Sequence, residues 1–203
     1  MKYFSQNDEE KYITEHFHDL NGRGGKLIEI GSFDPYTFSN SRKLLEQGWR
    51  GILVEPSPTC MGRIKKVYEF DPRIQLLQVA ITENDGYIDF YDTVGGDAIG
   101  TTDIAHKKKW EEGEYKIKYS PIQVQSMSMN TLISVHGADV DFLNIDVEGT
   151  NINLFRTIPN DFLHRLKMIC IEHDGHYDEI AVKLGTFGFR KLMLNNENII
   201  LAK

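Results

Sequence analysis

The sequence lacks several features that would by themselves assign a function. Its 203 residues include two cysteines, Cys60 and Cys170, which give neither a disulfide framework nor a metal-ligand spacing. A reducing compartment fits this composition, so we predict a cytoplasmic protein. Cys170 lies in the apolar run 168–171 and is predicted to be a buried, unreactive thiol.

Long apolar runs and an excess of basic residues are also absent. No stretch approaches the about 20 apolar residues that a membrane-spanning helix needs, and residues 1–10 have no apolar signal core. The net charge is −7, and Lys107-Lys108-Lys109 is a short basic run that we read as a solvated surface. Because acidic surfaces repel phosphate backbones, we expect no general nucleic-acid binding and no membrane partner.

The glycine patterns of common phosphate-containing cofactors are missing as well. The turn after the first apolar run contains one glycine, Gly31, whereas a dinucleotide-binding turn carries three at fixed spacing. A phosphate-binding loop with its lysine is not found either. These absences argue against NAD and FAD and are compatible with a cofactor that has no phosphates.

What the chain does contain is a series of apolar runs that end in acidic residues. The first segment, at 26–34, contains Glu29 and ends at Asp34, and the second apolar run, at 51–54, is followed by Glu55. A strand, a glycine turn, a helix and a second strand form the first half of a nucleotide-type site. Ligands in such sheets lie beyond the carboxyl ends of the strands.

The remaining pattern predicts one α/β domain over residues 1–203, with an N-terminal helical segment at 1–25 that stops at Gly22-Arg23-Gly24-Gly25. A third strand is predicted at 74–81, and Asn84-Asp85-Gly86 predicts a hairpin that pairs residues 87–91 antiparallel to it. Two closing strands near the carboxyl end predict an antiparallel edge on a mostly parallel sheet.

Residues 94–120 lose the periodicity of helices and strands and are predicted to form a lid loop over the acceptor. The aromatic residues Trp110, Tyr115 and Tyr119 offer rings that stack on a sugar or an aromatic acceptor. Packing of the lid on the body is the alternative explanation for these rings, Trp110 above all.

S-adenosylmethionine fits the acids at the first two strand ends, because it has no phosphates and carries an ammonium, a sulfonium and a ribose diol. Glu29 and Asp34 place negative charge near the first turn, and Gly31 lets the backbone come close. Glu55 offers two oxygens to the ribose hydroxyls. Alone, Glu29 is explained as a tether to a helix or a loop and Glu55 as an exposed strand end, but together, in this order, they favour the cofactor.

Five short motifs then follow one another along the chain. They are Ser5-Gln6, EIGSFD at 29–34, Ser39-Asn40, GWRGILVEP at 48–56 and IDVEG at 145–149. With them the chain resembles the FkbM-type S-adenosylmethionine-dependent methyltransferases. One departure is Pro35, where the family usually has glycine, since proline has no N–H to offer a cofactor.

This resemblance implies a Rossmann-like class I methyltransferase fold with a seven-stranded, mostly parallel sheet. It also implies O-methylation of a hydroxyl on a sugar, a glycan or a small natural product. The residues implied to hold the cofactor are Glu29, Gly31, Ser32 and Asp34 beside the methionine part, Glu55 and Pro56 beside the ribose, Ala80 and Ile81 beside the adenine, and Asp146 beside the methyl group.

Polar side chains at the ends of the later strands are candidates for catalysis. Methyl transfer to a hydroxyl needs alignment of the acceptor, exclusion of water and removal of a proton. We predict His173 as the general base, because histidine titrates near neutrality, and Asp146 as the second candidate. Glu148 and Glu172 complete the set, and a hydrogen-bonded network that caps the sheet is the alternative. For His106, which has no partner evident in the sequence, a structural role is preferred.

The same four residues, Asp146, Glu148, Glu172 and His173, are also candidate ligands for a divalent cation. Carboxylate oxygens with one imidazole suit magnesium, manganese or calcium better than zinc. Such an ion would orient a diol acceptor and lower its proton affinity.

Two rival functions stay open. Asp34-Pro35-Tyr36 superficially resembles the Asp-Pro-Pro-Tyr motif of enzymes that methylate amino groups of nucleobases, but it follows the first strand rather than the fourth. The other rival is a binding module that keeps the fold and the cofactor without turnover. The paired acids Asp146 and Glu148 argue against it, because clustered acids cost stability without a purpose.

Overall fold

A computed structural model describes residues 2–18 and 24–203 of the chain. The predicted stop of the N-terminal segment falls partly on Gly22 and Arg23, which lie outside the described residues. Gly24 and Gly25 lead directly into the first strand, as expected from the sequence.

The described residues form ten strands and eight helices. The strands are β1 (Lys26–Ile30), β2 (Arg50–Val54), β3 (Ile74–Leu77), β4 (Ala80–Thr82), β5 (Gly86–Thr93), β6 (Tyr119–Ser128), β7 (Phe142–Ile145), β8 (Met168–Glu172), β9 (Arg190–Leu194) and β10 (Asn198–Ala202). The helices are α1 (Glu9–His18), α2 (Arg42–Glu46), α3 (Pro58–Tyr68), α4 (Ile104–Glu112), α5 (Met129–His136), α6 (Asn151–Thr157), α7 (Asn160–Arg165) and α8 (Tyr177–Gly185). Within the described residues, no helix has the length and apolar character needed to cross a bilayer.

A seven-stranded sheet in the order β3-β2-β1-β7-β8-β10-β9 lies at the centre. The strands from β3 to β8 in this order pair in parallel, and β10 pairs antiparallel with both of its neighbours. Parallel strands covered by helices on both faces read as continuous apolar runs, which is why β1, β7 and β8 stood out in the sequence. The predicted fold class is confirmed.

Alternation along β1 assigns its side chains to the two faces of the sheet. Ile28 and Ile30 pack in a hydrophobic cluster with α5 to α8. Leu27 packs in a second cluster with α1, α2 and α3, so Glu29 points to that second face. Cys170 in β8 is fully buried among these residues, as predicted.

A second sheet, in the order β4-β6-β5, corrects the predicted middle of the chain. The predicted strand at 74–81 is divided between the two sheets, and β6 lies between β4 and β5. The predicted hairpin at Asn84-Asp85-Gly86 is therefore wrong. The Asp85 carboxylate instead accepts hydrogen bonds from Ser128 N (2.6 Å) and Thr131 Oγ1 (2.7 Å), which ties the turn to the start of α5.

The segment predicted as a lid loop, residues 94–120, contains helix α4. Asp103 caps this helix, since its carboxylate accepts hydrogen bonds from the backbone N–H groups of Ala105 (2.6 Å) and His106 (2.9 Å). None of the nine residues described for α4 is buried. Without an apolar stripe there is no 3.6-residue period, so the sequence pattern did not reveal the helix.

Candidate functional site

A cavity of about 800 Å³ lies at the carboxyl ends of β1, β2, β7 and β8, under the segment 94–120. Its volume falls within the range of small-molecule and cofactor sites. The predicted site residues that line it are Gly31, Glu55, Pro56, Ala80, Ile81, Asp146, Glu148 and Glu172. The sequence-predicted residues at these strand ends are thus brought to one place.

Gly31 ends β1 in a conformation that requires glycine. Its φ is +83°, and a side-chain carbon at this position would lie 1.6 Å from the carbonyl oxygen of Asp146. The N–H groups of Gly31 and Ser32 both donate to the carbonyl of Val54, at 3.0 and 3.1 Å. The first turn is therefore fixed between the ends of β2 and β7.

Glu55 lies at the end of β2 and lines the cavity while being 6% exposed. Its Oε2 accepts a hydrogen bond from Phe33 N (2.9 Å), and its Oε1 accepts one from Ser57 N (2.9 Å). Burial raises the pKa of Glu55 to about 7, although these two hydrogen bonds oppose the rise. Each oxygen still has acceptor capacity for a ligand hydroxyl.

Three residues that the resemblance implies for the cofactor do not line the cavity. The Glu29 carboxylate accepts a hydrogen bond from Ser41 Oγ (2.8 Å) on the far face of the sheet, and burial raises its pKa to about 7. The Ser32 hydroxyl donates to the carbonyl of Glu29 (3.1 Å). Asp34 lies 3.3 Å from Arg63 Nε. These contacts stabilise the first turn from outside the cavity.

Apolar residues form the wall at the predicted adenine position. Ala80 and Ile81 on β4 line the cavity together with Val79 and with Phe90 on β5. Ala80 packs against Phe90, while Val79 and Ile81 belong to the main core. This wall joins the two sheets.

Acidic side chains gather at the opposite end of the cavity. Asp146, Glu148, Glu172, Asp174 and Glu197 all line it. Burial, followed by the charge of Glu148, raises the pKa of Asp146 to about 8. Burial and the charge of Asp146 raise the pKa of Glu172 to about 10. Asp146 and Glu172 share a hydrogen bond, so this pair retains a proton at neutral pH.

His173 does not line the cavity, although it follows β8. Its Nδ1 accepts a hydrogen bond from Gly175 N (2.9 Å), and its Nε2 lies 3.1 Å from the carbonyl oxygen of Asn195, to which it donates. The ring contacts Tyr177 edge-on. Because both ring nitrogens contact backbone groups, this geometry does not support His173 as the base.

The candidate metal ligands do not converge. Over residues 2–18 and 24–203, no group of three or more His, Cys, Asp and Glu side chains is arranged to hold a metal ion. Both ring nitrogens of His173 contact backbone groups and are therefore turned away from the three carboxyl groups on the cavity wall. The set of Asp146, Glu148, Glu172 and His173 therefore does not fit magnesium, manganese or calcium.

Several lining residues were not predicted as site residues, and Gln6, His106 and Lys109 are among them. Gln6 lines the cavity, and its Nε2 donates to Glu197 Oε1 (3.0 Å), so the N-terminal segment closes the acidic end. The motif Ser5-Gln6 was the available signal for this contact. From α4, the cavity is lined by His106, Lys109 and Trp110.

His106 makes two contacts through one nitrogen. Its Nε2 lies 2.8 Å from Trp110 Nε1 and 3.1 Å from Glu148 Oε2. Trp110 in turn packs against Tyr115, with ring centroids 5.9 Å apart. The predicted lid aromatics Trp110 and Tyr115 line the cavity, whereas Tyr119 is not among its lining residues and donates its hydroxyl to the carbonyl of Ile99 (3.1 Å).

The sheet order, the single antiparallel strand β10 and the cavity at the parallel strand ends define a class I methyltransferase fold. The methyltransferase FkbM domain matches residues 18–196, which is most of the chain. The chain belongs to this family, and the predicted resemblance is confirmed. A comparison with curated protein sequences gave no match.

Two solved structures illustrate the shared fold. Methyltransferase FkbM from Methylobacillus flagellatus KT is 11% identical, with a TM-score of 0.52 over 95% of this chain and 48% of that chain. The N-terminal domain of human METTL16, in complex with SAH, is 13% identical, with a TM-score of 0.50 over 95% of this chain and 66% of that chain. The chain spans about half the length of the FkbM structure it matches.

Proposed function

We propose that this protein is an S-adenosylmethionine-dependent methyltransferase that methylates a hydroxyl of a sugar, a glycan or a small natural product. The observation that carries the proposal is the position of Glu55. It is a buried carboxylate at the end of the second sheet strand, held by two backbone N–H groups on the cavity wall. That is where a ribose diol would find two acceptor oxygens.

The other walls fit the remaining parts of the cofactor. The Gly31 turn allows a close approach of backbone, and Ala80 and Ile81 offer apolar contact for an adenine ring. The acidic end, where the cofactor would meet the acceptor, suits the positive charge of the sulfonium, since opposite charges attract strongly in a partly buried site. When bound there, S-adenosylmethionine supplies an electrophilic methyl group with a good leaving group.

The protein's own contribution to the reaction is to orient the acceptor, exclude water and take up a proton. Segment 94–120 acts as the lid in this proposal, with Trp110 and Tyr115 as the surface on which a sugar ring stacks. Among the predicted catalytic residues, Asp146, Glu148 and Glu172 line the cavity and are available to the acceptor.

The contacts of Asp34 bear on the nucleobase alternative. Asp34 faces Arg63, and neither Asp34 nor Pro35 lines the cavity. The resemblance of Asp34-Pro35-Tyr36 to a nucleobase-methylating motif therefore has no support from position.

Cofactor binding is tested by thermal shift with S-adenosylmethionine, S-adenosylhomocysteine and NAD, each with and without magnesium. At a hundredfold excess over its dissociation constant, a ligand of the folded state stabilises by about 2.7 kcal/mol. We expect this response for the two sulfur nucleosides, and we expect Glu55→Ala to lose most of it. Glu69→Ala, an exposed carboxylate at the end of α3, is the matched control and should respond like wild type.

Turnover is tested by S-adenosylhomocysteine formation with a panel of hydroxyl acceptors. Product formation supports the enzyme, whereas cofactor binding without product from any acceptor supports the binding module. A Glu55→Ala variant that binds the cofactor as tightly as wild type would contradict the ribose assignment.

A further inference from the structure

His106, on the lid helix α4, occupies an unusual hydrogen-bonding position. A histidine nitrogen has either a proton or a lone pair, never both. The indole N–H of Trp110, 2.8 Å from Nε2, is a donor only, and an ionised Glu148, 3.1 Å from the same atom, is an acceptor only. Nε2 therefore accepts a hydrogen bond from Trp110 when it is unprotonated, and it donates one to Glu148 when it carries a proton.

The backbone around Glu148 is shaped for this contact. Glu148 has φ +56°, a conformation that is uncommon for a residue with a side chain, and its carbonyl accepts a hydrogen bond from Thr101 Oγ1 (2.6 Å). At Gly149, a side-chain carbon would lie 2.9 Å from the Cβ of His106. The turn after β7 thus places Glu148 at the cavity wall. Because Gly149 has no side chain, His106 can pack beside this turn. Backbone strain of this kind is concentrated at functional sites.

Both side chains line the cavity, and both are largely covered, with side-chain exposures of 12% for His106 and 19% for Glu148. The predicted base His173 has no free nitrogen, as described above. Asp146 and Glu172 are hydrogen-bonded to each other, and Glu172 also accepts a hydrogen bond from Asn151 Nδ2 (2.6 Å), so these two carboxyl groups are already engaged in the cavity wall. Glu148 with His106 is a pair on the cavity wall that combines a carboxylate with a group able to take the proton onward.

We propose that Glu148 and His106 together accept the proton of the acceptor hydroxyl, with Glu148 touching the hydroxyl and His106 receiving the proton at Nε2. This inference rests on the proposed hydroxyl methylation. The O–H bond of the acceptor breaks, and its electron pair forms the new bond from oxygen to the methyl carbon. The carbon–sulfur bond breaks, and sulfur keeps that pair as a neutral thioether.

The proton ends on the imidazole, where it exchanges the Trp110 contact for an ion pair with Glu148. Release of the proton to water restores the contact with Trp110 and resets the site. The base is thus completed by the lid, because α4 supplies His106 while the turn after β7 supplies Glu148.

The test uses the best hydroxyl acceptor from the panel and the thiol analogue with sulfur in place of that oxygen, both at pH 9. A thiol of ordinary pKa, about 8.5, is mostly ionised at this pH and needs no base. We expect His106→Ala to lower kcat on the hydroxyl by about 100-fold, within the range of general base catalysis, and to change kcat on the thiol by less than about threefold. His106→Gln, which keeps a polar side chain in place, should lose the same hydroxyl activity.

Lys108→Ala, at an exposed position of the same helix, should leave both activities unchanged. Equal slowing of both acceptors in the two His106 variants would show a lid-docking role and overturn the inference. Full hydroxyl activity in His106→Gln would overturn it as well. Failure of wild type to bind the cofactor or to methylate either acceptor would contradict the proposed function itself, and this inference with it.

Discussion

The two ends of the cavity are built in different ways. At the end proposed to hold the cofactor, called the cofactor end below, backbone atoms fix the geometry: Gly31 donates to Val54, and the Glu55 carboxylate is held by the N–H groups of Phe33 and Ser57. At the end proposed to hold the acceptor, called the acceptor end below, side chains from distant segments meet, as Glu148 does with His106 and as Gln6 does with Glu197. The contacts at the first end involve backbone N–H groups, whereas the contacts at the second end join two side chains.

This difference has a functional consequence. A backbone-fixed end suits a ligand that is the same in every turnover, because backbone positions tolerate little change. An end made of side chains on a lid can vary with the acceptor while the fold is kept, which is the usual division between scaffold and loop. The two ends should therefore respond differently to substitution.

The largest effect is expected at Gly31. Gly31→Ala should destabilise the protein by about 3 kcal/mol or more, from about 1–2 kcal/mol for the left-handed backbone and about 1–3 kcal/mol for overpacking against Asp146. Gly188→Ala is the matched control, since Gly188 has φ +86° with no atom near its side-chain position. In chemical denaturation, Gly188→Ala should lose only the part of the free energy of unfolding that comes from the left-handed backbone. Equal losses in Gly188→Ala and Gly31→Ala would show that the close approach of Gly31 to Asp146 is unimportant.

A smaller effect is expected from the acidic end, through pH. The pKa of Glu172 rises from 4.5 to about 10 on folding, so between these values the folded protein holds a proton that the unfolded chain has lost. The contribution of Glu172 to the free energy of unfolding is fully present below pH 4.5 and is lost as the pH rises toward 10. Glu172→Gln should flatten that decline, gaining about 0.5–3 kcal/mol over wild type at pH 9 and little at pH 5. If the free energy of unfolding of Glu172→Gln differed from that of wild type by the same amount at pH 5 and at pH 9, the shared proton would be contradicted.

The smallest effect is expected at Arg63, which links the two ends. Its guanidinium contacts Asp34 (3.3 Å) at the first turn and the carbonyl of Gly96 (2.5 Å) at the start of the lid. Arg63→Ala should lower stability by about 1–2 kcal/mol and speed chymotrypsin cleavage within the lid. Lys65→Ala on the exposed side of the same helix should do neither. An unchanged cleavage rate in Arg63→Ala would show that the lid is held by its other contacts.

The cofactor end could be predicted from the sequence for a physical reason. Strands buried on both faces leave continuous apolar runs, and residues that directly follow such runs lie at one edge of the sheet. Glu55 and Asp146 were found in this way. Glu29 shows the limit of the argument, because it lies inside β1 rather than after it, and alternation turns its side chain to the other face.

The acceptor end could not be predicted in the same way. Helix α4 has no apolar stripe, and the partner of His106 is Glu148, which lies 42 residues away in the chain. His173 follows β8 as a base candidate should, but its ring contacts Gly175 and Asn195, which only the folded chain reveals. The local sequence pattern predicts where the strands end, but it does not predict which side chains meet beyond those ends.

The insertion of β6 between β4 and β5 has a consequence for the order of folding. Strand β4 emerges early in synthesis, but its pairing partner, residues 126–128, follows more than 40 residues later. Such non-local pairing is slow to form compared with local contacts. Ala80 and Ile81 therefore remain without their strand partner until residues 94–120 have been synthesised, so this apolar wall of the cavity forms only after the segment above the cavity has been made.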